Sequence, residues 1–179
     1  MDQNESLLHE LDDRLSIVKR WGIVRAIHTQ SVAEHCFNVQ RICIKLAPYF
    51  GVVDLDQMFM LSQAALHHDD DEAVYGDIPS PAKAHVKTDE NGVDVRATAW
   101  YDDADIELKI IVKLADMLEA YHFIAMEFHL GNYYIRNHRS GLRNAIVRFL
   151  QKPDCPAAVH DICLKWIASV DTEGSKVHP

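Results

Sequence analysis

A helical period runs through most of this sequence and limits its fold more strictly than any other feature. The longest example covers residues 103–130, where apolar side chains recur every three or four positions. Gly131 and Asn132 follow it, and these residue types commonly end helices. No stretch alternates apolar and polar residues for long enough to indicate a strand. The sequence therefore predicts an all-α fold.

Four shorter segments show the same period and complete the predicted bundle. They cover residues 30–49, 55–68, 135–150 and 157–168. Ser31 and Glu34 form an S-x-x-E capping box, which predicts that the first of these helices begins at Ser31. Residues 87–96 are polar and turn-like, and we expect a surface loop there. We find no internal repeat, so residues 1–179 are predicted to form one compact domain.

The net charge of −9 at pH 7 restricts the partners of the chain. Nucleic-acid polymers are bound through clustered Lys and Arg, so this acidic chain is not expected to bind one. The acidic N-terminus lacks the basic and apolar regions of a signal peptide, and no window approaches the roughly 18 apolar residues of a membrane span. The four cysteines form no CxxC pair and are expected to be free thiols. The sequence thus predicts a cytoplasmic protein that contacts no membrane.

Histidines and carboxylates occur at three places where helices could bring them together. His68 and Asp69 lie where the segment 55–68 ends, and His35 lies early in the preceding helix. Asp116 interrupts a mostly apolar stretch of the longest helix. Burying a carboxylate without a partner costs several kcal/mol, so Asp116 requires a cation or strong hydrogen-bond donors. Mixed nitrogen and oxygen donors suit a divalent ion such as Zn, Mn, Fe, Co or Ni.

Each of these residues also has an ordinary interpretation. A single histidine on a helix often forms only a hydrogen bond, and the acidic run at 69–72 is typical of a solvated surface. Two of its members, Asp70 and Asp71, are expected to be solvated or to support a neighbouring side chain. The residue types alone therefore leave the metal site open.

Four motifs occur in order along the chain: SVAEH at 31–35, HHD at 67–69, E-x-x-x-G-D-x-P-x-P at 72–81 and KLAD at 113–116. Together they resemble the HD-domain metal-dependent phosphohydrolases. With Arg20 and Trp21, the chain is similar to the small bacterial 5′-deoxynucleotidases and the phage dATP triphosphohydrolases of that class. The matching motifs cover roughly residues 15–125. The resemblance implies a single HD phosphohydrolase domain, residues 1–179, folded as a compact helical bundle.

The resemblance also implies roles for individual residues. One divalent transition metal, Co, Mn or Zn, would be held by His35, His68, Asp69 and Asp116. Glu72 would be the acid/base for the attacking water. Arg20 would orient the phosphate, because its planar guanidinium grips two oxygens. His67 lies outside the match and is expected to have a supporting role.

The same resemblance assigns the substrate pocket. Trp21 would pack against the sugar and disfavour a 2′-hydroxyl group. The turn that lines the sugar and base side comprises Asp77, Ile78, Pro79 and Ser80. Lys83 is a further candidate for a phosphate contact, and Ile23 is expected to shape the pocket for the base.

Two features favour the phage branch and hence deoxyadenosine nucleotides, dATP above all. Gly22 stands where the bacterial enzymes carry proline, which gives a W-x-I arrangement with Ile23. Asp77 and Asp116 are 39 positions apart, which is short for the bacterial enzymes. A general 5′-deoxynucleotidase that hydrolyses dNMPs is the alternative, and a degenerate HD binding module is another.

The resemblance also implies partners and location. The expected partner is a small-molecule deoxynucleotide, and the family resemblance implies a homo-oligomer. If the protein is phage-encoded, we expect it in the host cytoplasm.

Overall fold

Helices dominate this computed structural model, which describes residues 14–77, 79, 101 and 103–173. The α-helices are α1 (Val32–Leu46), α2 (Leu55–Leu66), α3 (Glu72–Tyr75), α4 (Ile106–His129), α5 (Arg136–Leu150) and α6 (Ala157–Glu173), and Ala47–Phe50 and Tyr133–Ile135 are short 3₁₀ helices. Within the described residues the only β contact is an isolated antiparallel bridge between Lys19 and Ser31. None of the helices in this part of the chain combines the length and the apolar character that a membrane span requires. The all-α prediction is confirmed.

The start of α1 agrees with its predicted capping box. Ser31 Oγ accepts a hydrogen bond from the Glu34 backbone N–H, and Glu34 Oε2 accepts one from the Ser31 backbone N–H at 2.8 Å. These bonds satisfy two of the amide groups that would otherwise lack partners at the start of the helix. The capping box thereby fixes the first turn of α1, which carries His35.

Several helix ends differ from the prediction, including the end of α1 at Leu46 rather than 49 and the start of α4 at Ile106 rather than 103. α2 ends at Leu66 rather than at 68, because His67 leaves helical geometry (φ −108°, ψ 9°) and the chain turns. α6 continues beyond 168 to Glu173, and this extension buries Val170. The predicted loop at 87–96 lies outside the described residues.

The core surrounds α4, which packs against α1, α2, α5 and α6. Its buried apolar side chains include Ile111, Leu114, Leu118 and Ile124. Each such side chain contributes roughly 1.5–3 kcal/mol on burial. The free thiols Cys36, Cys43 and Cys163 are buried and Cys155 is half-buried. Because α4 is covered on several sides, the carboxylates that it carries require partners.

Residues 18–31 form a loop that lies against α4, named here the N-terminal loop. Two backbone hydrogen bonds close it, from Arg20 N–H to Gln30 O (2.9 Å) and from Val32 N–H to Val18 O (3.0 Å). Near its tip, two consecutive backbone N–H groups donate to the carboxylate of Glu127, close to the end of α4. The loop thereby brings Arg20 to the side of α4 that carries Asp116.

Candidate active site

Three predicted metal ligands from three parts of the fold converge at one point. Donor atoms of His35, His68 and Asp116, named here the His–Asp cluster, all lie within 4.8 Å of one another. His35 belongs to α1, Asp116 to α4, and His68 to the turn after α2. The fourth predicted ligand, Asp69, borders the cluster, with its Oδ2 3.6 Å from His35 Nε2 and 3.4 Å from His68 Nε2. The four residues are thus neighbours, and their role as metal ligands stays a prediction.

Hydrogen bonds fix which nitrogen of each histidine faces the cluster. His68 Nδ1 lies 2.8 Å from the carbonyl oxygen of Ala65, so this nitrogen carries the proton. His35 Nδ1 lies 2.6 Å from Glu119 Oε2 and donates to it. In the neutral form that binds a metal, each ring then has Nε2 as an acceptor, and both Nε2 atoms are buried without a hydrogen-bond partner in the described part of the chain. Two neighbouring buried lone pairs suit a cation, because burying a polar atom without a partner costs free energy.

The charge balance of the cluster also favours a cation. Burial raises the pKa of Asp116, but His35 and Lys113 outweigh burial and hold that pKa well below its usual range. Burial lowers the pKa of His68, so its ring is neutral at pH 7. Burial lowers the pKa of His35 too, but the nearby carboxylates of Asp116 and Glu119 outweigh burial and raise that pKa overall. Carboxylates beside imidazoles are the donor set of a borderline divalent ion, so the residues present fit the predicted metal.

Two cationic side chains lie beside the cluster. Arg20 Nη2 is 4.0 Å from Asp116 Oδ1, and Lys113 Nζ donates a hydrogen bond to Asp116 Oδ2 at 2.7 Å. Arg20 Nη1 also lies 3.4 Å from Glu119 Oε2, so α4 holds the guanidinium through two acidic groups. Glu72, the predicted acid/base, is buried at the start of α3. Both cations face carboxylates of α4, so an anion would meet net positive charge here only with a metal ion bound.

The acidic run at 69–72 is largely buried rather than solvated. Asp69, Asp70 and Glu72 have little exposed surface, and Asp71 is half-buried. Asp70 Oδ2 lies 2.7 Å from His67 Nδ1, so these two side chains support each other in the turn after α2. His67 and Asp70, which are not predicted ligands, thus have a structural role in this turn.

Trp21 has a strained backbone, and contacts with Asp77, Gln30 and Phe123 help to hold it. Its φ of 66° is rare for a large side chain and costs roughly 1–3 kcal/mol. Its backbone N–H donates to Asp77 Oδ2 at 2.9 Å, and its Nε1 donates to Gln30 Oε1 at 3.2 Å. Its ring stacks on Phe123 with the centroids 5.4 Å apart and the planes 6° apart. These contacts offset the strain and fix the position of the indole.

A cavity of about 670 Å³ lies next to the His–Asp cluster, and Asp116 is part of both. This volume is typical of small-molecule sites. The predicted site residues that line it are Arg20, Trp21, Ile23, Glu72, Asp77, Pro79 and Asp116. Ile78, Ser80 and Lys83 lie outside the described residues. A ligand in this cavity would meet charged groups near Asp116 and apolar side chains such as Ile23 elsewhere.

Known proteins share part of this sequence. The family model of the YfbR-like 5′-deoxynucleotidases matches residues 9–94. A 5′-deoxynucleotidase of Photorhabdus laumondii is 32% identical over 77 residues, which are 40% of this chain and 38% of that protein. The match therefore spans less than two fifths of the length of this curated relative.

Two solved structures share the fold over nearly the whole chain. The cyanophage S-2L HD phosphohydrolase DatZ, bound to dA and one catalytic Zn²⁺ ion, matches with a TM-score of 0.73 and 21% identity, over 97% of this chain and 98% of that chain. A protein from Pyrococcus horikoshii OT3 matches with a TM-score of 0.69 and 22% identity, over 94% and 98% respectively. The resemblance to the HD-domain phosphohydrolases is confirmed. At these identities, the two structures support the shared helical fold.

Two parts of the site in this HD-type fold were not predicted from the motifs. Glu119 lies three residues after Asp116, on the same face of α4, and this spacing could have indicated it. α5 supplies one wall of the cavity through Asn137, His138, Gly141, Leu142 and Ala145. The helical period predicts α5 but does not indicate that this polar and small-residue face turns towards α4.

Proposed function

We propose that this protein is a divalent-metal-dependent phosphohydrolase of 2′-deoxynucleoside 5′-phosphates. The observation that carries the proposal is the pair of buried Nε2 atoms, from His35 and His68, beside the carboxylate of Asp116. Arg20 and Trp21 line the adjoining cavity. The guanidinium of Arg20 can bind a phosphate, and the indole of Trp21 can pack against a sugar. The YfbR-like family model and the 5′-deoxynucleotidase relatives support the reaction class. The dA and Zn²⁺ bound by DatZ support a deoxynucleoside and a divalent metal as the ligands of the site proposed here.

The metal would be one divalent ion, Zn, Co or Mn. Its ligands would be His35, His68, Asp69 and Asp116. When bound, such an ion supplies an electrophilic clamp for phosphoryl oxygens and lowers the pKa of a water molecule. Glu119 and the carbonyl group of Ala65 orient the two imidazoles for this role.

The remaining chemistry belongs to the side chains of the cavity. Arg20 binds two phosphate oxygens through its guanidinium group and stabilises the charge that develops on them. Glu72 accepts a proton from the attacking water at its carboxylate and returns it to the leaving oxygen. Trp21 packs on the deoxyribose, and because Asp77 and Phe123 hold it in place, it disfavours a 2′-hydroxyl group.

We further propose a preference for deoxyadenosine nucleotides, with dATP as the main substrate. Ile23 and Pro79 line the cavity and give it an apolar wall that suits an adenine ring. A general 5′-deoxynucleotidase that acts on dNMPs is the second candidate, favoured by the match to the YfbR-like family model. The two candidates differ in the number of phosphates and in base selectivity.

Chromatographic product analysis separates these candidates. The protein is incubated with Co, Mn or Zn and with dAMP, dATP, dGTP, dTTP, dCTP or ATP. Faster consumption of dATP than of the other triphosphates supports the dATP reaction. Cleavage of monophosphates across several bases, with ribonucleotides spared, supports the general 5′-deoxynucleotidase. Absence of hydrolysis with every metal favours a degenerate binding module and overturns the proposal.

The proposal includes a single catalytic domain over residues 1–179, a cytoplasmic location and a homo-oligomeric state. The domain and the location rest on the sequence features given above, the oligomeric state rests on the family resemblance, and all three stay predictions. Size-exclusion chromatography with light scattering tests the oligomeric state directly.

A further inference from the structure

A second cavity, of about 280 Å³, lies along α4 next to the proposed active site. Three lysines, Lys109, Lys113 and Lys152, line it together with the carboxylate of Asp154. Lys113 also pairs with Asp116, but three lysines beside one lining carboxylate are still unusual in a chain with 18 basic and 27 acidic residues. This lysine cavity is therefore a local region of positive charge, which attracts anions.

Aromatic rings support two of the lysines. Lys152 Nζ lies 4.5 Å from the ring centroid of Phe149, which also lines the lysine cavity. Lys109 Nζ lies 5.8 Å from the ring centroid of Tyr101. Cation–π contacts of this kind restrict the side chains without neutralising their charge. The cation–π contacts thus organise part of the lysine cavity.

The lysine cavity and the larger cavity share Lys113. On α4, Lys109 precedes Lys113 by four residues and Asp116 follows it by three, so all three lie on one face of the helix. On α5, Ala145 lines the larger cavity and Phe149, one turn later, lines the lysine cavity. The two cavities are therefore successive parts of one groove between α4 and α5. About 10 Å of helix axis separates Lys109 from Asp116 along this groove.

We propose that the lysine cavity binds the distal phosphates of a nucleoside triphosphate. The inference rests on the proposed function of the neighbouring site. When the first phosphate lies at the His–Asp cluster, the polyphosphate chain passes Lys113 and extends towards Lys109 and Lys152. Flexible ammonium groups act as point charges and suit a phosphate chain of this kind. A monophosphate does not extend into the lysine cavity, so the lysines favour triphosphates as the substrate class.

The variants Lys109→Ala and Lys152→Ala, alone and combined, test this inference. Lys165→Ala is the matched control, because Lys165 is an exposed lysine of α6 that lines neither cavity. Steady-state kinetics are measured with dATP and with dAMP. We expect each single lysine variant to raise the KM for dATP about tenfold, given the usual strength of a charged hydrogen bond. The KM for dAMP stays unchanged in every variant.

A charge change in the opposite direction gives a second readout. Asp154→Asn removes the acidic lining residue, so we expect a lower KM for dATP and the same KM for dAMP. Equal changes for dATP and dAMP in the lysine variants overturn the inference, and so does an unchanged KM for dATP. In either case the proposed function stands if the wild-type protein hydrolyses a deoxynucleotide.

Binding measurements keep the inference testable if the proposed function fails. When the wild-type protein hydrolyses neither nucleotide, calorimetry with inorganic tripolyphosphate replaces the kinetics. Weaker tripolyphosphate binding in the double lysine variant than in Lys165→Ala supports the lysine cavity. Equal binding in these two variants, or no binding to the wild-type protein, overturns it.

Discussion

His35 and Glu119 form a buried hydrogen bond of 2.6 Å between Nδ1 and Oε2. Burial raises the pKa of Glu119, but the contacts with His35, Arg20 and Gln30 lower it overall, so the carboxylate is ionised at pH 7. An ionised carboxylate only accepts, which leaves the His35 proton on Nδ1 and turns Nε2 to the His–Asp cluster. Glu119 Oε1 accepts from Gln30 Nε2 at 2.5 Å, and Gln30 Oε1 accepts from Trp21 Nε1 at 3.2 Å. One carboxylate therefore links a predicted metal ligand to the predicted sugar contact.

The substitution Glu119→Gln tests this orientation of His35. An amide no longer fixes the proton on Nδ1, so we expect a loss of about 10–100-fold in zinc affinity. Competition with a chromophoric chelator measures that affinity without requiring turnover. Glu107→Gln, at an exposed position on α4, is the control. Equal zinc affinity in the two variants would show that Glu119 has no part in orienting the ligand.

The predicted ligand set and the missed Glu119 illustrate what a sequence specifies locally. His35 lies four residues after its helix cap, and HHD lies at the end of α2, so short motifs were enough to find them. Asp116 stood out because it interrupts an apolar stretch. Glu119 is more deeply buried than Asp116, but its partners Gln30 and His35 are 89 and 84 positions away. The three-residue spacing from Asp116 indicates only that the two carboxylates share a face of α4, because the long-range contacts themselves follow from helix packing and have no local pattern.

The fold shows the same division between local and long-range information. The helical period predicted every long helix in the described residues, since each buries one apolar face. It did not predict that Asn137 and His138 of α5 would line the cavity, because which face of α5 meets α4 depends on how the helices cross. The strained Trp21 backbone was likewise unpredicted, since its support comes from Asp77 and Phe123, far along the chain.

Asp116 and Glu72 are predicted to have separable roles, one in holding the metal and one in proton transfer. We expect Asp116→Ala to abolish both zinc binding and turnover. Glu72→Ala should retain zinc and lose about 10²–10⁴-fold in kcat, because general acid/base catalysis contributes that much. Elemental analysis after dialysis, paired with steady-state kinetics, separates the two effects. Turnover of Glu72→Ala at the wild-type rate would remove Glu72 from the proposed chemistry.

Phe123 is predicted to act on substrate choice through Trp21. Its ring stacks on the indole, and stacked pairs are worth roughly 0.5–1.5 kcal/mol. We expect Phe123→Ala to lower the preference for dAMP over AMP by about two- to tenfold, because the indole is less firmly held. Competition assays with both nucleotides give this ratio directly. Phe59→Ala, at an exposed position on α2, should keep the wild-type ratio, and an unchanged ratio in Phe123→Ala would contradict the prediction.

Glu127 is predicted to make the attachment of the N-terminal loop depend on pH. Its carboxylate accepts hydrogen bonds from the backbone N–H groups of Ile27 (2.5 Å) and His28 (2.8 Å) and from Asn132 Nδ2 (2.9 Å). Burial raises its pKa, but these bonds outweigh burial and hold the pKa below the ordinary value of 4.5. A carboxyl group of this kind stabilises the fold above its unfolded-state pKa, and the stabilisation is lost as the pH falls through its folded-state pKa.

Glu127→Gln should therefore destabilise the protein most at neutral pH. We expect a loss of roughly 1–3 kcal/mol in the free energy of unfolding at pH 7, typical of a buried hydrogen-bond network that loses its acceptor. The difference from the wild-type protein should shrink as the pH falls below 4.5. Urea unfolding at several pH values measures it, with Glu107→Gln as the control. A difference that stays constant with pH would rule out ionisation of Glu127 as its cause.

Gly141 leaves part of the cavity wall on α5 open, so filling this position tests where the nucleotide binds. A Cβ atom at residue 141 would meet no other atom within 4 Å. We expect Gly141→Ala to bind dAMP normally and to gain about 1 kcal/mol of stability, because alanine favours the helix. Gly141→Leu carries a larger side chain into the cavity and should weaken dAMP binding while retaining zinc affinity. Calorimetric titration of both variants makes the comparison, and normal dAMP binding by Gly141→Leu would show that the nucleotide lies away from α5.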